Sequence, residues 1–136
     1  MVKLQSHSTS NPTSISQKAA VEALRGPQEA VDRMLGEYRR RRDYVVRRLL
    51  AIPGVQCTEP QGAFYAYPNI GAVLGRDGAR STVEFSERLL EQARVAVVPG
   101  EAFGTQEHIR ISFATSMEQL ERGLNRLHQF IADLIA

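Results

Sequence analysis

The chain has no tryptophan, one cysteine and only two lysines among its 136 residues. The single cysteine, Cys57, excludes an internal disulfide and makes a reducing, cytoplasmic compartment the expectation. It also excludes a thiolate metal site. His7, His108 and His128 stand too far apart to pair at helical ligand spacing, so no metal centre is expected. No apolar run approaches the length of a membrane span. Met1-Val2-Lys3-Leu4 passes straight into polar residues, so a secretory leader is not expected either. Charge of neither sign dominates: the formal net charge is +2 and the sequence pI about 9.0. That imbalance is too mild to imply nucleic acid. The shortage of lysine matters more. Lys3 and Lys18 are the only amines, and the other fifteen cations are arginines, whereas some cofactor chemistry requires a lysine.

What is present suits one modest hydrophobic core: 43% hydrophobic and 24% charged residues. Residues 5–14 are small and polar and read as loop, with Asn11 as cap and Pro12 opening a short helix that stops at Gly26. Pro27 opens a long helix, in which Val31, Met34, Leu35, Tyr38, Val45 and Leu49 recur at the helical period, ended by Pro53-Gly54. Residues 55–58 and 63–67 are strand candidates. Residues 69–80 form a glycine-containing loop. Ser81-Thr82-Val83-Glu84 has the form of a capping box for a helix reaching Ala93. Residues 95–98 are wholly apolar and predict a strand buried on both faces. Ser116 caps a last helix with a seam of Met117, Leu120, Leu124, Leu127, Ile131 and Leu134. The order predicts an α/β sandwich: a small mixed sheet of about four strands packed with four helices. The expected division is a polar segment and linking helix over 1–26, then the main domain over 27–136.

Arg39-Arg40-Arg41-Arg42 is the most conspicuous charge run. Consecutive helical residues are turned by about 100°, so four arginines spread around the helix and cannot form one groove-facing stripe. A solvated helix surface is the better reading. Cys57 lies in an apolar segment without a basic neighbour, which favours an inert thiol over a nucleophile. In His108-Ile109-Arg110-Ile111-Ser112-Phe113, strand alternation puts the apolar residues on one face and His108, Arg110 and Ser112 on the other. Arg110 has no acidic neighbour in the run. It is open to two readings: a solvated or distantly paired arginine, or a fork that grips a carboxylate through two parallel hydrogen bonds.

Four motifs occur in order: Gln5-Ser6-His7-Ser8-Thr9-Ser10-Asn11-Pro12, Gln61-Gly62-Ala63-Phe64-Tyr65, Val97-Val98-Pro99-Gly100-Glu101-Ala102-Phe103-Gly104, and His108 to Ala114. Together they resemble the C-terminal small domain of class I/II, fold-type I aminotransferases, which use pyridoxal phosphate, and the aspartate aminotransferase branch in particular. The resemblance implies that Arg110 grips the α-carboxylate of an amino acid or 2-oxo acid substrate, and that Gly62 and Phe64 lie by the substrate pocket. It implies that Thr9 and Ser10 lie near the cofactor phosphate, and that the complete enzyme is a homo-oligomer. Neither lysine matches the family's Schiff-base lysine, which sits upstream in a Ser-Lys segment, so no catalytic residue falls in this chain. The chain is therefore expected to be a fragment, with Met1 matching an internal methionine, and to be inactive and free of cofactor by itself. The competing reading is a stand-alone, non-enzymatic ligand-binding or assembly module, without nucleic acid or membrane partners.

Overall fold

The computed structural model describes residues 2–9, 11–75 and 79–135. They form five α-helices and three strands: α1 Val2–Ser8, α2 Ser14–Arg25, α3 Glu29–Leu50, β1 Tyr65–Ala66, α4 Thr82–Ala93, β2 Val98–Pro99, β3 Ile109–Ser112 and α5 Met117–Ile135, with a 3-10 turn over Gly100–Phe103. Two compact units result, Met1–Met34 and Leu35–Ala136.

In the first unit, residues 5–14 are not all loop. Residues 5–8 belong to α1, because the serine and threonine hydroxyls that compete with helix elsewhere here donate back along it: Ser6 to Lys3 O, Ser8 to Leu4 O and Thr9 to Gln5 O. The cap of α2 is Thr13, whose Oγ1 accepts from Ser16 N–H at 3.3 Å, and not Asn11. No described residue of α1 or α2 is buried.

The second unit holds the core. The last turns of α3 contribute Val45 and Leu49, and Pro53-Gly54 ends that helix as the sequence indicates, with Gly54 at φ +80°. Ser81 Oγ accepts from Glu84 N–H to start α4, and the Glu84 carboxylate accepts from Arg80 N–H, one residue earlier than a standard capping box. Ser116 Oγ accepts from Gln119 N–H to start α5. The α5 seam packs inward as its spacing predicts, and Phe130 joins it, meeting Phe85 edge-on at 5.4 Å.

The α/β class stands, but the sheet has three strands in the order β1-β3-β2 and both pairs are antiparallel. Residues 55–58 contribute only an isolated bridge, Gln56 to Asn69. The apolar run 95–98 pairs only at its end and is half-covered, because β2 is the edge strand of the described sheet. Ile70 and Val73, in the segment read as an open loop, are fully buried. The arginine run is absorbed by its surroundings: Arg40 pairs with Glu37 at 2.9 Å, and Arg42 with Asp43 at 2.7 Å and Glu59 at 3.3 Å. Among the described residues, no helix is long and apolar enough to cross a membrane.

Candidate functional site

The sheet positions Arg110 at its centre. Register pairs Arg110 with Val98 on one side, while Tyr65 opposes Ser112 on the other. Alternation then acts as the sequence indicates. Ile109 and Phe113 face the core and are buried, and Arg110 emerges half-buried on the opposite face. Tyr65 shares that face, two positions along from the arginine in the neighbouring strand, a diagonal within reach of long side chains.

The surroundings of the guanidinium are aromatic rather than acidic. Its Cζ lies 4.4 Å from the ring centroid of Tyr65 and 4.4 Å from that of Phe103. Among the described residues, none of the ion pairs involves Arg110. Arginine stays charged at any working pH, and its donors lie in the guanidinium plane. Each ring meets the charge through its π face, which offers no lone-pair acceptor to the N–H groups, so the fork can still take a planar anion. Such a partner has to come from outside this set of residues.

Phe103 reaches Arg110 because the turn carrying it is fixed in three ways. A Cβ at Gly100 would lie 2.4 Å from His108 O and 2.8 Å from Thr105 O, so only glycine allows the turn to approach β3 this closely. The Glu101 carboxylate accepts from both the hydroxyl and the N–H of Thr82, the latter at 3.1 Å, which docks the turn on the N-terminus of α4. Thr82 Oγ1 in turn accepts from Gly100 N–H at 2.9 Å. Behind Phe103, Tyr67 meets its ring edge-on at 6.0 Å and stacks on His108 at 4.8 Å.

The Thr82 hydroxyl, against an opposing effect of desolvation and with help from the backbone N–H groups of Glu101, Thr82 and Val83, holds the Glu101 carboxyl below the usual carboxylate range. A lowered folded-state pKa means that the unfolded chain binds the proton more tightly. The contribution to stability is therefore full above about pH 5, where unfolded glutamate is ionised, and is lost as the pH falls through the folded value. Urea unfolding of wild type and Glu101→Gln across pH 3–7 should show a constant gap above about pH 5 that narrows in acid. A gap that widens in acid would contradict this docking role.

The other expected site residues fall in different places. Phe64 meets Tyr65 at a tilt, ring centroids 4.5 Å apart, and approaches Tyr38 at 6.2 Å, so it joins the aromatic group beside Arg110. Gly62 lines a separate cleft with Tyr38, Arg39, Arg42 and Phe113, which Arg110 does not line. A Cβ at Gly62 would meet open space; the residue with left-handed backbone in this turn is its neighbour Ala63, at φ +57°. Thr9 is exposed at the end of α1, its hydroxyl donating to Gln5 O at 3.0 Å. Ser10 lies outside the described residues. Burial pushes the Cys57 thiol up, which opposes nucleophilic use. Tyr65, Phe103, Glu101 and Thr82 were missed by sequence reasoning as site residues. Strand alternation could have put Tyr65 on the polar face of its strand; Phe103 lies in a turn, where no periodicity signals it.

The family model described as aminotransferase class I and II matches residues 1–127. An aspartate aminotransferase of Geobacillus stearothermophilus is 47% identical over 131 residues, which are 96% of this chain and 33% of that protein. An aspartate/prephenate aminotransferase of Cereibacter sphaeroides is 47% identical over 139 residues, 98% of this chain and 35% of that protein. Among solved structures, the aspartate aminotransferase of Rhizobium meliloti superposes with a TM-score of 0.89 at 43% identity, covering 96% of this chain and 34% of that one. The chain thus spans about a third of the length of the curated relatives it matches.

Proposed function

Because this chain belongs to the class I and II aminotransferases, we propose that it is the C-terminal, substrate-carboxylate-binding domain of a pyridoxal-phosphate-dependent amino acid aminotransferase, with residues 27–136 as that domain. The observation that carries the reading is Arg110: a permanent charge held between two rings, with no carboxylate partner among the described residues. Its fork takes the α-carboxylate of an amino acid or 2-oxo acid and so fixes where the α-carbon sits.

In this reading the described residues do not hold the cofactor on their own. The lysines are Lys3 and Lys18, both exposed on α1 and α2, and the hydroxyl of Thr9 is turned back onto its own helix. Pyridoxal phosphate supplies the electron sink for the reaction in this family and is held, in this reading, by the part of the enzyme beyond this chain. What this chain contributes is orientation of the substrate. The test is to join it to the remaining two-thirds of the Geobacillus stearothermophilus relative and assay amino-group transfer from aspartate to a 2-oxo acid. Activity that depends on Arg110 supports the reading, and activity indifferent to Arg110 removes it.

Assembly belongs to the same proposal. Val2, Leu4, Ile15 and Leu24 are each at least three-quarters exposed, and Val31 and Met34 about half. Exposed apolar surface beyond a few hundred Å² commonly marks a contact site. Light scattering of the isolated chain should give a mass that rises above the monomer with concentration, and a version starting at Pro27 should lose most of that rise. A strictly monomeric full chain would favour a self-sufficient module.

A further inference from the structure

Resting on that reading of Arg110, we propose that Tyr65 and Phe103 are positioning residues. They clamp the guanidinium from its two faces, and the docked turn Gly100–Phe103 sets the clamp. A free arginine side chain samples many rotamers, and ordering it on binding weakens affinity. Here the two rings, each 4.4 Å from Cζ, fix the guanidinium before any carboxylate arrives. The face of an aromatic ring carries no lone-pair acceptor, so these contacts do not compete with the incoming carboxylate for the fork.

The two halves of the clamp differ in origin. Tyr65 comes from β1 and is held by the ladder itself. Phe103 is 47% exposed and has no ladder to hold it. It depends on Glu101 at Thr82, on the close approach at Gly100 and on Tyr67 behind its ring. A side chain this exposed contributes little to the core. Its ring meets Arg110 on one contact and Tyr67 on the other.

The test uses the full 136-residue chain, ¹⁵N-labelled, with acetate as the probe. The Arg110 Nε–Hε signal is assigned by its loss in Arg110→Lys. Ring currents from two facing rings should move that proton upfield, and acetate should shift it saturably. Phe103→Leu and Tyr65→Leu should each return the proton downfield and weaken acetate binding about five-fold. Phe103→Tyr keeps a ring and should restore both, and Glu101→Gln should give an intermediate shift. Leucine variants that leave both the proton position and the acetate affinity unchanged, while binding still needs Arg110, would overturn the clamp and leave the carboxylate reading intact. An acetate response at Arg110 that is absent, or equal in Arg110→Ala by its effect on neighbouring signals, would overturn both.

Discussion

Arg110→Ala in the joined enzyme should lower kcat/KM by roughly two orders of magnitude, mostly through KM. A charge-assisted contact is worth about 1.5–3 kcal/mol, and about 1.4 kcal/mol is a factor of ten. The loss should be this large because Arg110 has no carboxylate partner among the described residues that could share or replace its charge. Arg110→Lys should recover only part of it, since an ammonium is a point charge without a fork and stacks less well between Tyr65 and Phe103. The variant should fold, with stability changed by no more than about 1 kcal/mol, because a half-buried residue away from the core loses only its ring contacts. Steady-state kinetics and urea unfolding on the same samples separate the two effects. Unchanged kinetics, or gross unfolding, would make Arg110 a structural residue.

The second large effect is a complete one. The isolated chain mixed with pyridoxal phosphate, an amino acid and a 2-oxo acid should show no turnover above that of free pyridoxal phosphate. Forming the covalent link requires a lysine whose amine is held in a pocket beside the groups that bind the phosphate. Lys3 and Lys18 are exposed on short helices with no buried residue. Borohydride reduction followed by mass mapping should therefore find scattered, substoichiometric labelling. Stoichiometric labelling of one lysine together with turnover would return the chain to the class of complete enzymes.

Elements with strong local signals were legible in the sequence. The α5 seam, the Ser81 and Ser116 caps and the alternation around Arg110 all sit where spacing puts them, because each depends on neighbours within a few residues. What spacing misses is long-range. Residues 95–98 are as apolar as a central strand, yet their place at the edge is set by pairing with β3, 10 to 12 residues away in the register Val98–Arg110 and Pro99–Ile109. Ile70 and Val73 fill the core from within a glycine-rich stretch, where no period marks them. The helix over Val2–Ser8 hides behind serine and threonine, whose hydroxyls satisfy the backbone of that helix. The site divides in the same way. Arg110 stands out because a strand isolates it from acidic neighbours, whereas Phe103 acquires its role only when the turn folds back across β3.

The most direct test of the central claim is a crystal structure of the joined enzyme with a bound 2-oxo acid or amino acid analogue. The account predicts the α-carboxylate on the Arg110 fork, with two N–H···O contacts of about 2.8 Å, and the guanidinium still between Tyr65 and Phe103. A carboxylate bound elsewhere, with Arg110 paired to an acidic side chain of the enzyme, would contradict it.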